Sequence, residues 1–415
     1  MVELEVERVA HGGVFVAHHE GRVVFVPDTI PGERVRARIT DRRHDRFWRA
    51  ETLEVLEASP DRQPHVWAEA SVERPPERRA GGAEFGHIRI ERQRELKGDV
   101  LRDALRRFGG VESDMAVRAV DPELAPGVSA EGTGWRTRVR LQVDDEGVVG
   151  PYAPRSHTVV PVASVPLAVP SLAELAPLAS RFPGARAVDL VAPSVGEPAL
   201  VIDDGERMPR RGPRPTITER VGDRTFRLDR DGFWQVHRGA AATLARAVQD
   251  AVDPGLFDPR AANLDLYGGV GLLAAAVGDR FGDAVRITTV EADPRATEHA
   301  GANLAEWVGS RAVTARVDRF LDELADAATA AERGRLREAT VVLDPPRSGA
   351  GRAVVDRLAE LRPRQLVYVA CDPVALARDV GLLREQGYEL EHLEAFDLFP
   401  STHHVEAVAR LTAIV

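Results

Sequence analysis

Leu264-Asp265-Leu266-Tyr267-Gly268-Gly269-Val270-Gly271 reads as a short buried strand that runs into a glycine turn and then a helix. Gly269 and Gly271 leave the backbone bare, so a ligand can approach the turn closely. About twenty residues further on, Glu291 closes the next strand-like run, where its carboxylate can accept hydrogen bonds from a ribose diol. That pairing fits either a dinucleotide or S-adenosylmethionine.

Working outward, strand-like runs fall at 263–267, 286–291, 313–317, 340–343, 365–370, 390–396 and 406–413. Helices fit between the first five, and 240–252 gives an amphipathic helix before them. The last two runs are too close for a helix and should form an antiparallel hairpin. A doubly wound parallel sheet with one reversed strand follows, so ligands should bind beyond the carboxyl ends of its strands. Asp344-Pro345-Pro346-Arg347-Ser348-Gly349 leaves the fourth strand at that end, and its two prolines stiffen a loop that must keep its shape. Nicotinamide enzymes have no common need for such a loop. Amine methyltransferases put a stacking aromatic after the prolines. Here that position is Arg347, which points to other chemistry and to a contact with substrate.

Leu366-Val367-Tyr368-Val369-Ala370-Cys371-Asp372-Pro373 delivers the chain's only cysteine to the same edge. Asp372 is a good N-cap and Pro373 a good first helical residue, so Cys371 should sit beside a helix N-terminus, where partial positive charge favours a thiolate. The plain alternative is a small buried hydrophobe. The loop of the final hairpin, 396–406, could bring Glu406 near Cys371; His403 and His404 are rival bases, ranked lower because Glu406 opens a strand that fixes its direction. A thiolate and a carboxylate facing a methyl donor meet the needs of pyrimidine C5 methylation. Sulfur adds at C6 to make C5 electron-rich, and a base later removes the C5 proton.

Upstream, residues 1–58 read as a small β-barrel, with turns at Gly12-Gly13, Glu20-Gly21 and Pro31-Gly32. Arg34, Arg36, Arg38, Arg42 and Arg43, with Phe47 and Trp48 close by, suit contact with an RNA backbone and stacking on bases. Residues 59–90 look like an irregular linker. A central α+β domain over 91–215 opens with an amphipathic helix at 91–108 that places Leu96, Val100, Leu101, Leu105 and Phe108 on one face. Strand-like runs follow at 136–143, 148–152 and 199–202, with a helical patch at 171–180. Arg136, Arg138 and Arg140 alternate along one strand face, a second candidate RNA surface. Residues 207–216 read as a linker into a catalytic domain over 216–415.

The 415 residues carry a net charge of −10, which argues mildly against a polyanionic partner unless the charge is unevenly distributed. One cysteine excludes an internal disulfide and any thiolate-built metal centre. No apolar run approaches the roughly 20 residues of a membrane span, and the N-terminus lacks a signal-peptide pattern, so a cytoplasmic location is expected.

Through Gly12-Gly13, Val24-Phe25-Val26-Pro27 and Pro31-Gly32-Glu33-Arg34-Val35, the barrel resembles a TRAM domain, an RNA-binding module of OB type. Nearly the full length resembles the RNA uracil-C5 methyltransferases. The most specific pieces are Asp344-Pro345-Pro346-Arg347, Val369-Ala370-Cys371-Asp372-Pro373, and the run from Phe399-Pro400 through Thr402 to His404-Val405-Glu406. The resemblance implies a class I S-adenosylmethionine-dependent domain behind the TRAM barrel and central domain, acting on uridine in tRNA or 23S rRNA. It implies Cys371 as nucleophile and Glu406 as base. It also implies cofactor contacts from Gln235, Tyr267, Glu291, Asp318 and Asp344, beside the bare turn at Gly269 and Gly271. Many members hold an iron–sulfur cluster on four cysteines; here Ala80-Gly81-Gly82-Ala83 replaces a Cys-Gly-Gly-Cys and Val165 another cysteine, so this chain resembles the cluster-free members. Leu272 stands where some members have a polar cofactor contact. The expectation is an RNA (uracil-C5) methyltransferase. Alternatives are methylation at another base or position, a non-catalytic RNA-binding protein and, disfavoured, a nicotinamide oxidoreductase.

Overall fold

The structure, a computed structural model, describes residues 1–205 and 214–414, so the expected linker at 207–216 lies, apart from its last three residues, outside the described residues. Strands β1 (Val2–Ala10), β2 (Val14–His19), β3 (Arg22–Val26), β4 (Arg34–Asp41) and β5 (Phe47–Glu57) close into a barrel in the order β1-β2-β3-β5-β4. Alternation builds it: Leu4 and Val6 of β1 point inward while Glu3 and Glu5 point out, and Phe15, Val24, Val35 and Ala37 complete the buried set.

Residues 59–90 carry little regular structure, yet they are not a loose linker. Trp67, Ala80 and Ala83 are buried in an apolar cluster with Trp135, Val160 and Leu167. The positions where the resemblance implied cluster cysteines, Ala80 and Ala83, are thus filled by hydrocarbon packing. Helix α1 (Ile90–Ala104) follows and passes into a π-helical turn at Leu105–Gly109. That turn resets the helical register, so Phe108, expected on the buried face, is 51% exposed.

The middle of the chain holds β6 (Val117–Ala119), β7 (Arg138–Val143), β8 (Val149–Gly150), α2 (Pro170–Leu175), β9 (Ala187–Val191) and β10 (Ala199–Asp203). Strands β10-β9-β7-β8 form one sheet, in which β9 has no counterpart among the runs expected from sequence. A hairpin of β11 (Thr216–Val221) and β12 (Arg224–Asp229) leads into the last unit.

That unit alternates as expected: α3 (Ala240–Ala251), β13 (Asn263–Leu266), α4 (Leu272–Phe281), β14 (Ile287–Glu291), α5 (Pro294–Asn303), β15 (Ser310–Thr314), α6 (Val317–Ala327), α7 (Ala330–Arg337), β16 (Thr340–Leu343), α8 (Gly351–Leu361), β17 (Gln365–Ala370), α9 (Pro373–Glu385), β18 (Tyr388–Asp397) and β19 (Glu406–Ala413). The sheet runs β15-β14-β13-β16-β17-β19-β18-β6, with β19 the one strand antiparallel to its neighbours. It has eight strands rather than the expected seven, because β6 from the middle of the chain adds to the edge beside β18. Every residue of β17 is buried, as a central strand covered on both faces requires. Leu101, Ala104 and Leu105 at the end of α1 pack into the same core as Leu376 and Val380 of α9, so α1 braces the strand-to-helix joint that carries Cys371.

Candidate active site

The carboxyl ends of β13, β14, β16 and β17 open into one cleft of about 1000 Å³. Tyr267, Gly269 and Gly271 of the glycine turn all have left-handed backbone (φ 61°, 53° and 91°). For Tyr267 that conformation costs about 1–3 kcal/mol and sets it at the cleft wall. Gly268 is required for a different reason, since a Cβ there would lie 2.3 Å from Thr289 and 2.4 Å from Asp265. The Gly269 N–H donates to Glu291 Oε2 at 3.1 Å and the Asp293 N–H to Oε1 at 2.8 Å, which fixes the carboxylate at the end of β14.

Across the cleft, Asp229 accepts from Arg295 Nε and Nη2, each at 2.8 Å, and faces His299 Nε2 at 2.8 Å. The Arg295 bonds, and then the His299 bond against a modest burial cost, hold Asp229 at about 2. Phe233, 74% exposed, sits on the lip, with Gln235 beside it in the lining. Asp344, Pro345, Pro346 and Arg347 form the opposite wall. Sequence reasoning missed Asp229, Arg295, His299 and Glu84. Arg295 and His299 share one face of α5, but Asp229 ends β12 and Glu84 precedes α1, so they form a site only when the chain folds.

Cys371 and Glu406 meet as the hairpin suggested. The β17–β19 ladder ends with Ala370 paired to Ala407, so Cys371 and Glu406 are the residues just past its last pair. Both line the cleft, close enough for the Glu406 charge to act on the thiol. Cys371 also borders a second cavity of about 150 Å³, enclosed by Ala10, His11 and Gly12 of the barrel and by Lys97, His403 and His404.

The electrostatics correct one expectation. Cys371 is not a resting thiolate: burial first, then the negative charges of Glu406 and Asp344, push its thiol up to about 12. The helix terminus does not offset this, because the Asp372 carboxylate takes the free Val374 and Ala375 amides at 3.0 and 2.8 Å. Burial also raises Asp344 to about 7 and carries Glu406 well above the usual carboxylate range, with Asp344 adding to the rise. Arg347 is the cation that opposes these shifts. Its Nη2 lies 3.4 Å from His404 Nε2, and burial keeps His404 neutral by lowering it to about 3, so the imidazole accepts this bond. His403 turns away toward Glu84, with Nδ1 at 3.4 Å from Oε2.

Other predicted residues fall elsewhere. Asp318 opens α6 with both oxygens held by Arg316 at 3.1 and 2.7 Å, and it is not part of the cleft lining. Arg34, Arg36 and Arg38 are paired across the barrel strands with Glu57 and Glu3, with Glu54 and with Glu51, and Arg43 pairs locally with Asp41 at the end of β4. Arg138 donates to the Arg230 and Gly232 carbonyls, and Arg140 pairs with Asp189 and Asp203, so that strand face is internally compensated. Arg136 does line the cleft, with no carboxylate partner among the described residues.

Comparison with known proteins bears on this geometry. Residues 319–414 match the family model described as tRNA (Uracil-5-)-methyltransferase, and residues 1–51 match the TRAM domain. A Streptomyces avermitilis protein named an uncharacterized RNA methyltransferase is 38% identical over 440 residues, covering 99% of this chain and 97% of that one. This chain belongs to the RNA methyltransferases. A Bifidobacterium longum RNA methyltransferase is 34% identical, covering 99% and 96%. Among solved structures, the Pyrococcus abyssi tRNA (uracil-54, C5)-methyltransferase in complex with S-adenosyl-L-homocysteine matches with a TM-score of 0.67 at 21% identity, covering 99% of each chain. The methyltransferase therefore has the class I fold of S-adenosylmethionine-dependent enzymes behind a TRAM barrel.

Its cleft suits that cofactor. Gly269 has nothing within 4 Å of where a side chain would begin, Glu291 is placed to accept from a diol, and the volume admits a nucleoside as well. No helix among the described residues is long and apolar enough to cross a membrane.

Proposed function

We propose that this methyltransferase forms 5-methyluridine in tRNA or 23S rRNA, in the cytoplasm, with Cys371 as nucleophile and Glu406 as base. The observation that supports the reading is that Cys371 and Glu406, just past the last pair of the β17–β19 ladder, both line the cleft of the glycine turn. S-adenosylmethionine, when bound, supplies an electrophilic methyl group. Tyr267, Gly269 and Glu291 would hold it on one side and Asp344 on the other, with Gly271 shaping the turn and Gln235 at the lip.

The rest is the work of this chain's side chains. The Cys371 thiol proton passes through Glu406 to O4 as sulfur bonds to C6 and the C5–C6 π electrons move toward C5. When C5 gains the methyl group, the O4 proton leaves to water. Glu406, made more basic by burial, then takes the C5 proton as a carboxylate, the double bond re-forms, and the sulfur departs and recovers a proton from Glu406. Arg347, held by His404, offsets the negative charge that builds around the sulfur. The target uridine must leave its stack to reach Cys371.

Unmodified tRNA and 23S rRNA transcripts incubated with labelled S-adenosylmethionine test this. The expected product is 5-methyluridine. Cys371→Ala should bind the cofactor and make none, and Glu406→Gln should accumulate a protein–RNA adduct that survives denaturation. No 5-methyluridine in either RNA, from protein that binds the cofactor, refutes it.

A further inference from the structure

We propose that RNA reaches the cleft along one contiguous set of arginines that have no ion-pair partner among the described residues: Arg22, Arg42 and Arg49 on the barrel, Arg155 in the central loop, and Arg136 at the cleft. The proposal rests on the RNA methyltransferase reading and adds the path the substrate takes.

The argument starts from charge. A chain of net charge −10 binds a polyanion only where cations are uncompensated. The conspicuous run on β4 fails that condition, because Arg34, Arg36 and Arg38 face Glu57, Glu54 and Glu51 one strand away. The start of β5 and the neighbouring β3 and β4–β5 loop meet it. Arg22 and Arg42 each hold their guanidinium 4.9 Å from the Trp48 ring centre, and Arg49 lies 5.8 Å from that of Phe47. None of the three has an ion-pair partner among the described residues. His44 stacks on Phe47 at 4.3 Å, only 19° from parallel. Flat guanidinium and ring faces beside free charge are what stacked nucleobases and phosphates need.

The surface continues toward Cys371. Arg79 ties residues 79–84 to the barrel through Asp28 at 2.8 Å and the Thr52 carbonyl at 2.9 Å. The Gly81 amide then bonds to the Tyr152 carbonyl at 2.9 Å, which sets the loop bearing Arg155 alongside. Arg155 is exposed, has no ion pair among the described residues, and lies close enough to Arg49 to feel its charge, with Asp28, already held by Arg79, also near. Gly82 and Glu84, next along that segment, already line the cleft with Arg136 and Arg347. Unpaired cations therefore run from the barrel, past the loop, into the cleft.

Fluorescence anisotropy of the full chain with unmodified tRNA and 23S rRNA transcripts, over a range of salt, tests this. Arg49→Ala and Arg155→Ala should each reduce the slope of log affinity against log salt by about 0.7–0.9, as loss of one phosphate contact does. Arg155→Lys should restore the slope, and Arg36→Ala, which removes a compensated charge, should leave it unchanged. The path is refuted if Arg36→Ala loses as much as Arg155→Ala, or if Arg49→Ala and Arg155→Ala keep the full slope. Those outcomes are read without turnover. Normal slopes lost on cue, with no 5-methyluridine formed, would leave the path standing and overturn the uracil reading; no binding of either RNA by the unaltered protein overturns the path.

Discussion

Titrating the one thiol of this enzyme tests the electrostatics of the site directly. An ordinary cysteine, with a pKa of about 8.5, is about one-quarter thiolate at pH 8. Cys371, pushed up to about 12 by burial and by Glu406 and Asp344, would be ionised in only about one molecule in ten thousand. That deficit is about 3.4 log units, of which the greater nucleophilicity of a more basic thiolate restores about 1.6 for a Brønsted slope of 0.4–0.5. Alkylation by iodoacetamide at pH 8 should then be about 60-fold slower than for a free thiol, before any steric effect. Because there is a single cysteine, whole-protein mass spectrometry reads the rate without ambiguity. Restricted access alone also slows alkylation, so the pH dependence decides. The rate should climb nearly tenfold per pH unit through pH 10 with no plateau. Glu406→Gln removes the largest of the three carboxylate charges that oppose ionisation, Asp344 and Asp372 being the others, and should move the curve to lower pH. A wild-type rate that levels off below pH 9.5, or a Glu406→Gln curve that coincides with it, would refute the reasoning.

Two stability effects follow from buried charge. Lys97, the only lysine, pairs with Asp397 at 2.5 Å with both side chains fully buried, while Arg94 Nε lies 3.4 Å from the other oxygen of Asp397. Lys97→Met should therefore cost less than the roughly 3–5 kcal/mol of a wholly abandoned buried charge in urea unfolding, and a Lys97→Met/Asp397→Leu double variant should recover part of it. Recovery should fail if the single loss came from packing rather than from the abandoned carboxylate. Asp265 is fully buried with Oδ1 unpaired, and burial raises it to about 7 against about 3.9 unfolded. An acid raised by folding favours the folded state below its unfolded pKa and loses that contribution as pH rises through the folded one, here up to about 4 kcal/mol between pH 4 and 8. Asp265→Asn should therefore stabilise the protein more at pH 8 than at pH 5, and an equal gain at both would contradict this account.

Much of the architecture was legible because it rests on local rules. Hydrophobic runs broken by glycine and proline mark β13, β16 and β17, and Asp372-Pro373 announces the start of α9. What escaped was non-local. β6 joins the sheet from nearly three hundred residues upstream of its partner β18, through a three-residue run too short to carry a pattern. The arginines of β4 looked free because their partners on β1 and β5 are neighbours only across a barrel.

The sequence by itself determined the residue types and their order along the chain: one sulfur at a strand tip, one acid at the start of the last strand, and a bare turn for a nucleotide. Folding decided their charge state and their company. A pKa depends on how much water and how many charges surround a group, and here those charges come from the ends of different strands, tens of residues apart. So the thiol was visible in the chain, while its protonation, the Arg347–His404 contact beside it and the choice of which arginines stay free were settled only in three dimensions.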